Sequence, residues 1–280
     1  MQLGATRSIV RAVAAALMVL LVAAPAAAQS LLKNMELCNG SDRSSPQPQI
    51  DGCTALIEAA ETPNSLIVAY NNRGNAYTAK GDYDRAIEDY NQSIKLNSGY
   101  AKAFNNRGVA YQKKGQHDRA IEDFNEAINL NSNYAHAFAN RAEAYQKKHE
   151  YDRAARDYDE AIRLEPALPG VWSGRCWVRA VLGELPAALE DCNKALQLDA
   201  KDAASYDSRG LIRLKMGQFD PAIADYSSAL RFEPKQASSL YGRGLARLKK
   251  GDASAGNADI AAARAIEAKI ADDFADYGFK

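Results

Sequence analysis

The stretch Tyr70-Asn71-Asn72-Arg73-Gly74-Asn75-Ala76-Tyr77, followed by Gly81-Asp82-Tyr83 and Ala86-Ile87, decides the fold. Its arginine returns every 34 residues, as Arg73, Arg107, Arg141, Arg175, Arg209 and Arg243. The residue after each is small: Gly74, Gly108, Ala142, Cys176, Gly210, Gly244. A turn glycine follows at Gly81, Gly115, Gly183, Gly217 and Gly251, with His149 at that place in the third unit. Tyr70, Phe104, Phe138, Trp172 and Tyr206 open the first five units and Leu240 the last. Further small residues recur at Ala86, Ala120, Ala154, Ala188, Ala222 and Gly256.

Each unit therefore holds two amphipathic stretches of about 13 residues across a glycine turn, the pattern of two antiparallel helices. Small residues let the helix backbones approach, and aromatics fill the gaps between pairs. One pair cannot bury its apolar face alone, so neighbours must stack. The quoted residues closely resemble the tetratricopeptide repeat family, and the resemblance runs without a gap from Ile67 to Ile270. It implies an all-α, right-handed α-solenoid of helix-turn-helix repeats at 67–100, 101–134, 135–168, 169–202, 203–236 and 237–270. Residues 29–66 read as a degenerate, disulfide-linked N-terminal helical pair. Within it Ile50 to Ile57 has the spacing of Ile87 to Ile94, and Ser41 to Pro48 reads as a loop. Residues 271–280 read as a capping helix and tail, amphipathic through Ile270, Phe274 and Tyr277. The later units depart from the family pattern: Arg179, Arg213 and Arg247 stand where Tyr77, Tyr111 and Tyr145 carry its aromatic. Gly256 weakens a helix interior by about 1 kcal/mol.

Composition fits a folded chain of 280 residues, 47% hydrophobic and 25% charged, rather than a disordered or polytopic one. Basic and acidic residues balance at 35 each. Phosphate contacts need a surplus of Lys and Arg, so nucleic acid is not an expected partner. Residues 1–28 read as a signal peptide: Arg7 and Arg11, an apolar run from Ala12 to Val22 too short to span a bilayer, and Ala26-Ala27-Ala28 before a cut at Gln29. The expected location is periplasmic or secreted, without stable membrane insertion after cleavage. Disulfides persist in such compartments.

Cys176 takes the small first-helix position and Cys192 the aromatic second-helix position of its unit, two places that face each other within a repeat of this family. Cys38 and Cys53 are similarly spaced in the N-terminal pair. Disulfides Cys38–Cys53 and Cys176–Cys192 are expected, each worth about 3 kcal/mol in the chain-entropy treatment. Buried free thiols and a metal site are the alternatives, and no CxxC pair or histidine cluster supports the metal. An acid follows each repeat arginine by 16 residues: Asp89, Asp123, Asp157, Asp191, Asp225, Asp259. These are either a charged ligand ladder or structural ion pairs. Strict pairing in every unit tracks the repeat and favours the structural reading.

No nucleophile elbow, phosphate loop, HExxH or dinucleotide turn occurs, so no enzyme, cofactor or metal is expected. His149 and His117 read as solvated residues at or beside turns. In the resembled family the first helix of each unit lines the concave face. Positions that would face inward carry Asn71, Asn72, Asn75, Asn105, Asn106 and Asn140, with Lys113, His136 and Lys147 nearby. An amide both donates and accepts, so an asparagine row suits the backbone of an extended peptide, or is only a soluble surface. Asn75 and Asn106 match the asparagines of the family's carboxylate clamp. Its basic positions are Asn71, His136 and Asn140 here, which disfavours carboxylate capture. In the later units the inward positions turn apolar at Trp177, Leu211, Leu214, Leu245 and Leu248. Such a stripe marks either an interface or a surface covered by the C-terminal helix. The expected function is a scaffold binding a protein or peptide of unknown identity in the concave groove. The alternative is a self-associating structural subunit of an envelope complex.

Overall fold

The structure, a computed structural model, describes residues 26–40, 45–59 and 62–279. Residues 1–25 of the expected signal peptide lie outside the described residues, as do 41–44 of the expected loop. Fifteen helices are present among the described residues, and no strand. They are α1 (Ala26–Cys38), α2 (Pro46–Ala59), α3 (Pro63–Lys80), α4 (Tyr83–Leu96), α5 (Ala101–Lys113), α6 (His117–Leu130), α7 (Ala135–Lys147) and α8 (Tyr151–Leu164). Then follow α9 (Val171–Leu182), α10 (Leu185–Leu198), α11 (Ala203–Lys215), α12 (Phe219–Phe232), α13 (Ala237–Lys249), α14 (Ala253–Ile266) and α15 (Ile270–Asp276). The chain forms two compact units, up to Ala110 and from Tyr111.

Three boundaries differ from the sequence reading. Pro46 and Pro48 do not prolong a loop but open α2, since a first helical turn has no use for the N–H that proline lacks. Helix α3 starts at Pro63, ahead of the repeat boundary at Ile67, because Thr62 and Ser65 cap it reciprocally. The terminal helix stops at Asp276. Gly278, at φ 94°, turns the chain so that the Phe279 N–H meets the Phe274 carbonyl at 2.9 Å, bringing Phe279 back beside Phe274.

Within a repeat the two helices meet where a small residue faces a large one. A Cβ on Gly74 would lie 2.6 Å from Tyr90 Cε1, and one on Gly210 2.8 Å from Tyr226 Cε1. Tyr90 and Tyr226 are fully buried. The fourth repeat fills the same two positions with Cys176 and Cys192, bonded with Cα atoms 5.3 Å apart. A covalent bond replaces a packing contact. Cys38 and Cys53 are likewise bonded, Cα atoms 4.5 Å apart, joining α1 to α2.

The repeat arginines tie helices together in two directions. Arg73 grips Asp89 with two bonds of 2.8 Å, and Arg141, Arg175, Arg209 and Arg243 grip Asp157, Asp191, Asp225 and Asp259 in the same fork. The remaining guanidinium nitrogen reaches back to the preceding second helix: Arg107 to Asn91, Arg141 to Asn125, Arg175 to Asp159, Arg209 to Asn193, Arg243 to Ser227. The carboxylates are nearly buried, so these pairs are charge-assisted and largely shielded from water. Arg73 is held above its ordinary pKa first by its hydrogen bond to Asp89.

The departures Arg179, Arg213 and Arg247 have a structural cause. Each donates to the buried acid of its repeat at 2.7–2.8 Å, so Asp191, Asp225 and Asp259 each hold two guanidinium groups. In the earlier repeats the tyrosine at that position instead lies under an arginine eight residues on: Arg85 over Tyr77, Arg119 over Tyr111, Arg153 over Tyr145. The later repeats carry Ala187, Pro221 and Ala255 there. The two positions exchange as a pair.

Candidate functional site

In the first unit the inward asparagines of α3 and α5 bond to one another. The Asn106 amide donates to Asn71 Oδ1 and Asn75 Oδ1, both at 3.0 Å, and accepts from Asn105 at 3.1 Å. Asn71 donates to Asn72. Asn71 and Asn105 are buried, at 4% and 5% exposure. This corrects the expectation that they face a ligand: packed helices bring their amides within reach of other amides, and they form the floor of the network. Asn72, Asn75 and Asn106 are half-buried above it.

The orientation of Asn75 follows from its partners. Its Oδ1 accepts from the Tyr90 hydroxyl at 2.8 Å and from Asn106. Both donors are fixed, so the carbonyl end of the amide is held inward. The Asn75 Nδ2 donates to no described residue. Its two N–H groups are the offered edge of the network. Lys113, His136 and Lys147 belong to the second unit and are exposed, and Asn140 there is half-buried.

The apolar stripe in the second unit is corrected too. Leu211 and Leu214 are each 4% exposed, in one core with Tyr226, Tyr241, Ile270 and Phe274. Leu245 packs on that core, and Leu248 lies against Gly256. Leu211 and Leu214 offer no open interface, because α15 and the following turn pack on this core, with the Phe274 and Tyr241 rings tilted against each other at 4.8 Å between centroids; Leu245 and Leu248 are half-buried. Trp177 is half-buried and lines a cavity of about 330 Å³. His149, the substitute for a turn glycine, adopts the left-handed φ of 61° and lines this cavity with its ring 2.7 Å from the Tyr151 hydroxyl.

Beside this core sits Asp207, whose carboxylate accepts from Ser238 and Ser239. Burial pushes its pKa up to about 6, against the lowering effect of the two serines. The folded chain thus holds a proton there more firmly than the unfolded one, whose ordinary value is 3.8. Its stabilising contribution is whole below about pH 4 and is lost as pH rises through about 6. Asp207→Asn is expected to flatten the fall in stability between those limits, worth about 2–3 kcal/mol. Denaturant melts at pH 4, 5, 6 and 7 check this, and parallel profiles for both chains would refute it.

Among the described residues no helix is long and apolar enough to cross a membrane, and no group of three or more His, Cys, Asp or Glu could hold a metal ion.

A family model described as TPR repeat matches residues 74–115 and 210–251, and two described as tetratricopeptide repeat match 101–134 and 140–203. Together they cover more than half of the chain. No curated protein matches the sequence. Among solved structures, a tetratricopeptide repeat protein from Parabacteroides merdae is 17% identical, with a TM-score of 0.65 over 90% of this chain and 100% of its own. PilF of Pseudomonas aeruginosa is also 17% identical, with a TM-score of 0.65 over 76% of this chain and 98% of its own. YrrB, a TPR protein with an unusual peptide-binding site, is 20% identical, with a TM-score of 0.53 over 65% of this chain and 94% of its own. At these identities the likeness establishes the fold, an all-α repeat solenoid.

Proposed function

Because the chain belongs to the tetratricopeptide repeat family, we propose that it is a non-enzymatic scaffold that grips an extended segment of a partner protein through the asparagine network of its first unit. The observation that carries this is the Asn75 amide, held through its carbonyl by Tyr90 and Asn106, with its N–H pair engaged by no described residue. A prearranged donor pair suits a backbone carbonyl, the one acceptor every extended peptide repeats, and loses little freedom on binding. Proteins of this family bind protein or peptide partners, and the peptide-binding site of YrrB fits the reading. The burial of Leu211 and Leu214 leaves less to support self-association through the apolar half. Export to the periplasm or outside the cell belongs to the same proposal. It is supported by the signal-like residues 1–28 and by two buried disulfides, which persist in oxidising compartments.

Asn75→Asp tests the grip. The acid still accepts from Tyr90 and Asn106 but presents an acceptor where the amide presents donors. Peptides selected from a random display library on the native chain should bind this variant about tenfold more weakly or worse, with helicity and Tm unchanged. Equal binding would refute the grip. The protein recovered from the envelope fraction or medium for this experiment should begin at Gln29, and a chain retaining residues 1–28 would refute the export reading.

A further inference from the structure

The cavity beside Trp177 has a wall chemistry of its own. Tyr151, Trp177 and Tyr277 succeed one another with ring centroids 5.6 and 6.0 Å apart and planes at 67° and 86°. Three aromatic walls thus meet at steep angles around about 330 Å³. Asp273 and Asp276 stand at the same cavity, and neither carboxylate has a hydrogen-bond or ion-pair partner among the described residues. Lys147 is the one lysine or arginine among the lining residues, set against these two acids. The feature is absent from the other repeats: Trp177 replaces the residue at Asn75, His149 replaces a turn glycine, and Tyr277 comes from outside the repeats.

A wall of rings presents the negative faces of their π systems, and unpaired carboxylates add full charge. That combination attracts a cation whose shell is soft and partly apolar rather than a tightly hydrated metal ion. We propose that this cavity binds an organic cation, either a quaternary ammonium compound or the arginine or lysine side chain of a polypeptide. The volume accommodates either head group. The Tyr277 hydroxyl is pushed up to about 12, by burial first and then by Asp273, Tyr151, Asp207 and Asp276, which accords with a negative potential at this place. His149 acts as a positioning residue. Its left-handed backbone is unusual for a residue other than glycine, and it sets the ring against the Tyr151 hydroxyl at 2.7 Å. The site goes beyond the scaffold reading and lies in the other unit, so either can fail alone.

The test uses the full chain with Trp172→Phe, which leaves Trp177 as the single tryptophan reporter. Titration with choline, and separately with Nα-acetyl-arginine methylamide, should give a saturable change in Trp177 emission. A midpoint of about 1 mM or below is expected for at least one of them. Saturation by choline alone identifies a free ammonium ligand, and saturation by the arginine derivative alone identifies a partner's side chain. Both support the site. The neutral choline isostere 3,3-dimethylbutan-1-ol should bind at least tenfold more weakly. Asp276→Asn, at an exposed position that leaves folding intact, should weaken the cation about threefold or more, and Tyr277→Leu should weaken it further. Equal binding of the neutral isostere, or no saturation by either cation at about 50 mM, would overturn the proposal.

Discussion

Asp225→Ala is expected to cost about 3–5 kcal/mol and to unfold the C-terminal repeats well before the rest of the chain. Its carboxylate is 4% exposed and holds Arg209 and Arg213 together. Alanine would take the shared carboxylate from two guanidinium groups, themselves only 17% and 24% exposed, leaving Arg209 with Asn193 and Arg213 with the Pro221 carbonyl. Losing one partner of a shielded pair costs more than the pair contributes, because the survivor keeps its desolvation penalty. Asp89→Ala is the internal comparison. It strands Arg73 alone, which also keeps Thr54, and should cost about 2–3 kcal/mol. Thermal melts followed by hydrogen exchange will order the two variants. If Asp225→Ala cost under about 1 kcal/mol, or less than Asp89→Ala, the shared acids would not be stabilising anchors.

Phe274→Ala should have an effect of the same size, about 3–5 kcal/mol for the loss of a buried ring. Phe274 is 2% exposed and touches Tyr241, Tyr277 and Phe279. Helix α15 has seven residues, too few to persist in water without tertiary contacts. Removing its central ring should therefore release the whole segment. Leu211, Leu214 and Tyr241 would be uncovered, and Tyr277 would leave Trp177. The readouts are a lower Tm, new binding of a hydrophobic dye, and a shift in Trp177 emission. A variant with native Tm and no dye binding would show that the segment is not docked.

Both disulfide pairs and the arginine–aspartate spacing were legible in the sequence. The repeat pairs join positions seven and twenty-three, or, for Cys176 and Cys192, eight and twenty-four, of a single helical hairpin, and Cys38 and Cys53 stand 15 residues apart across another; helix periodicity fixes which positions of a hairpin face each other. The asparagines were legible as a row but not as a network. Whether an amide at an inward position meets water or another amide depends on how closely α3 and α5 pack, and so Asn71 and Asn105 proved buried. The exchange of Tyr77, Tyr111 and Tyr145 for Arg179, Arg213 and Arg247 did leave a signal, the simultaneous loss of Arg85, Arg119 and Arg153 eight residues on. A search for paired departures between repeats would have found it.

The cavity at Trp177 left no local signal, since it joins residues from Gln146 to Tyr277. Residues far apart in the chain become neighbours only when the terminal segment folds onto the repeats. By itself, then, the sequence determined the repeat, its helices, its covalent links and its acid–base pairs, because each is a relation within about 34 residues enforced by helix geometry. The tertiary structure alone decided that the apolar stripe of α11 is core rather than surface, and that Tyr277 closes an aromatic pocket. A terminal segment with no periodic partner docks wherever it buries the most apolar area, and only the assembled surface defines that place.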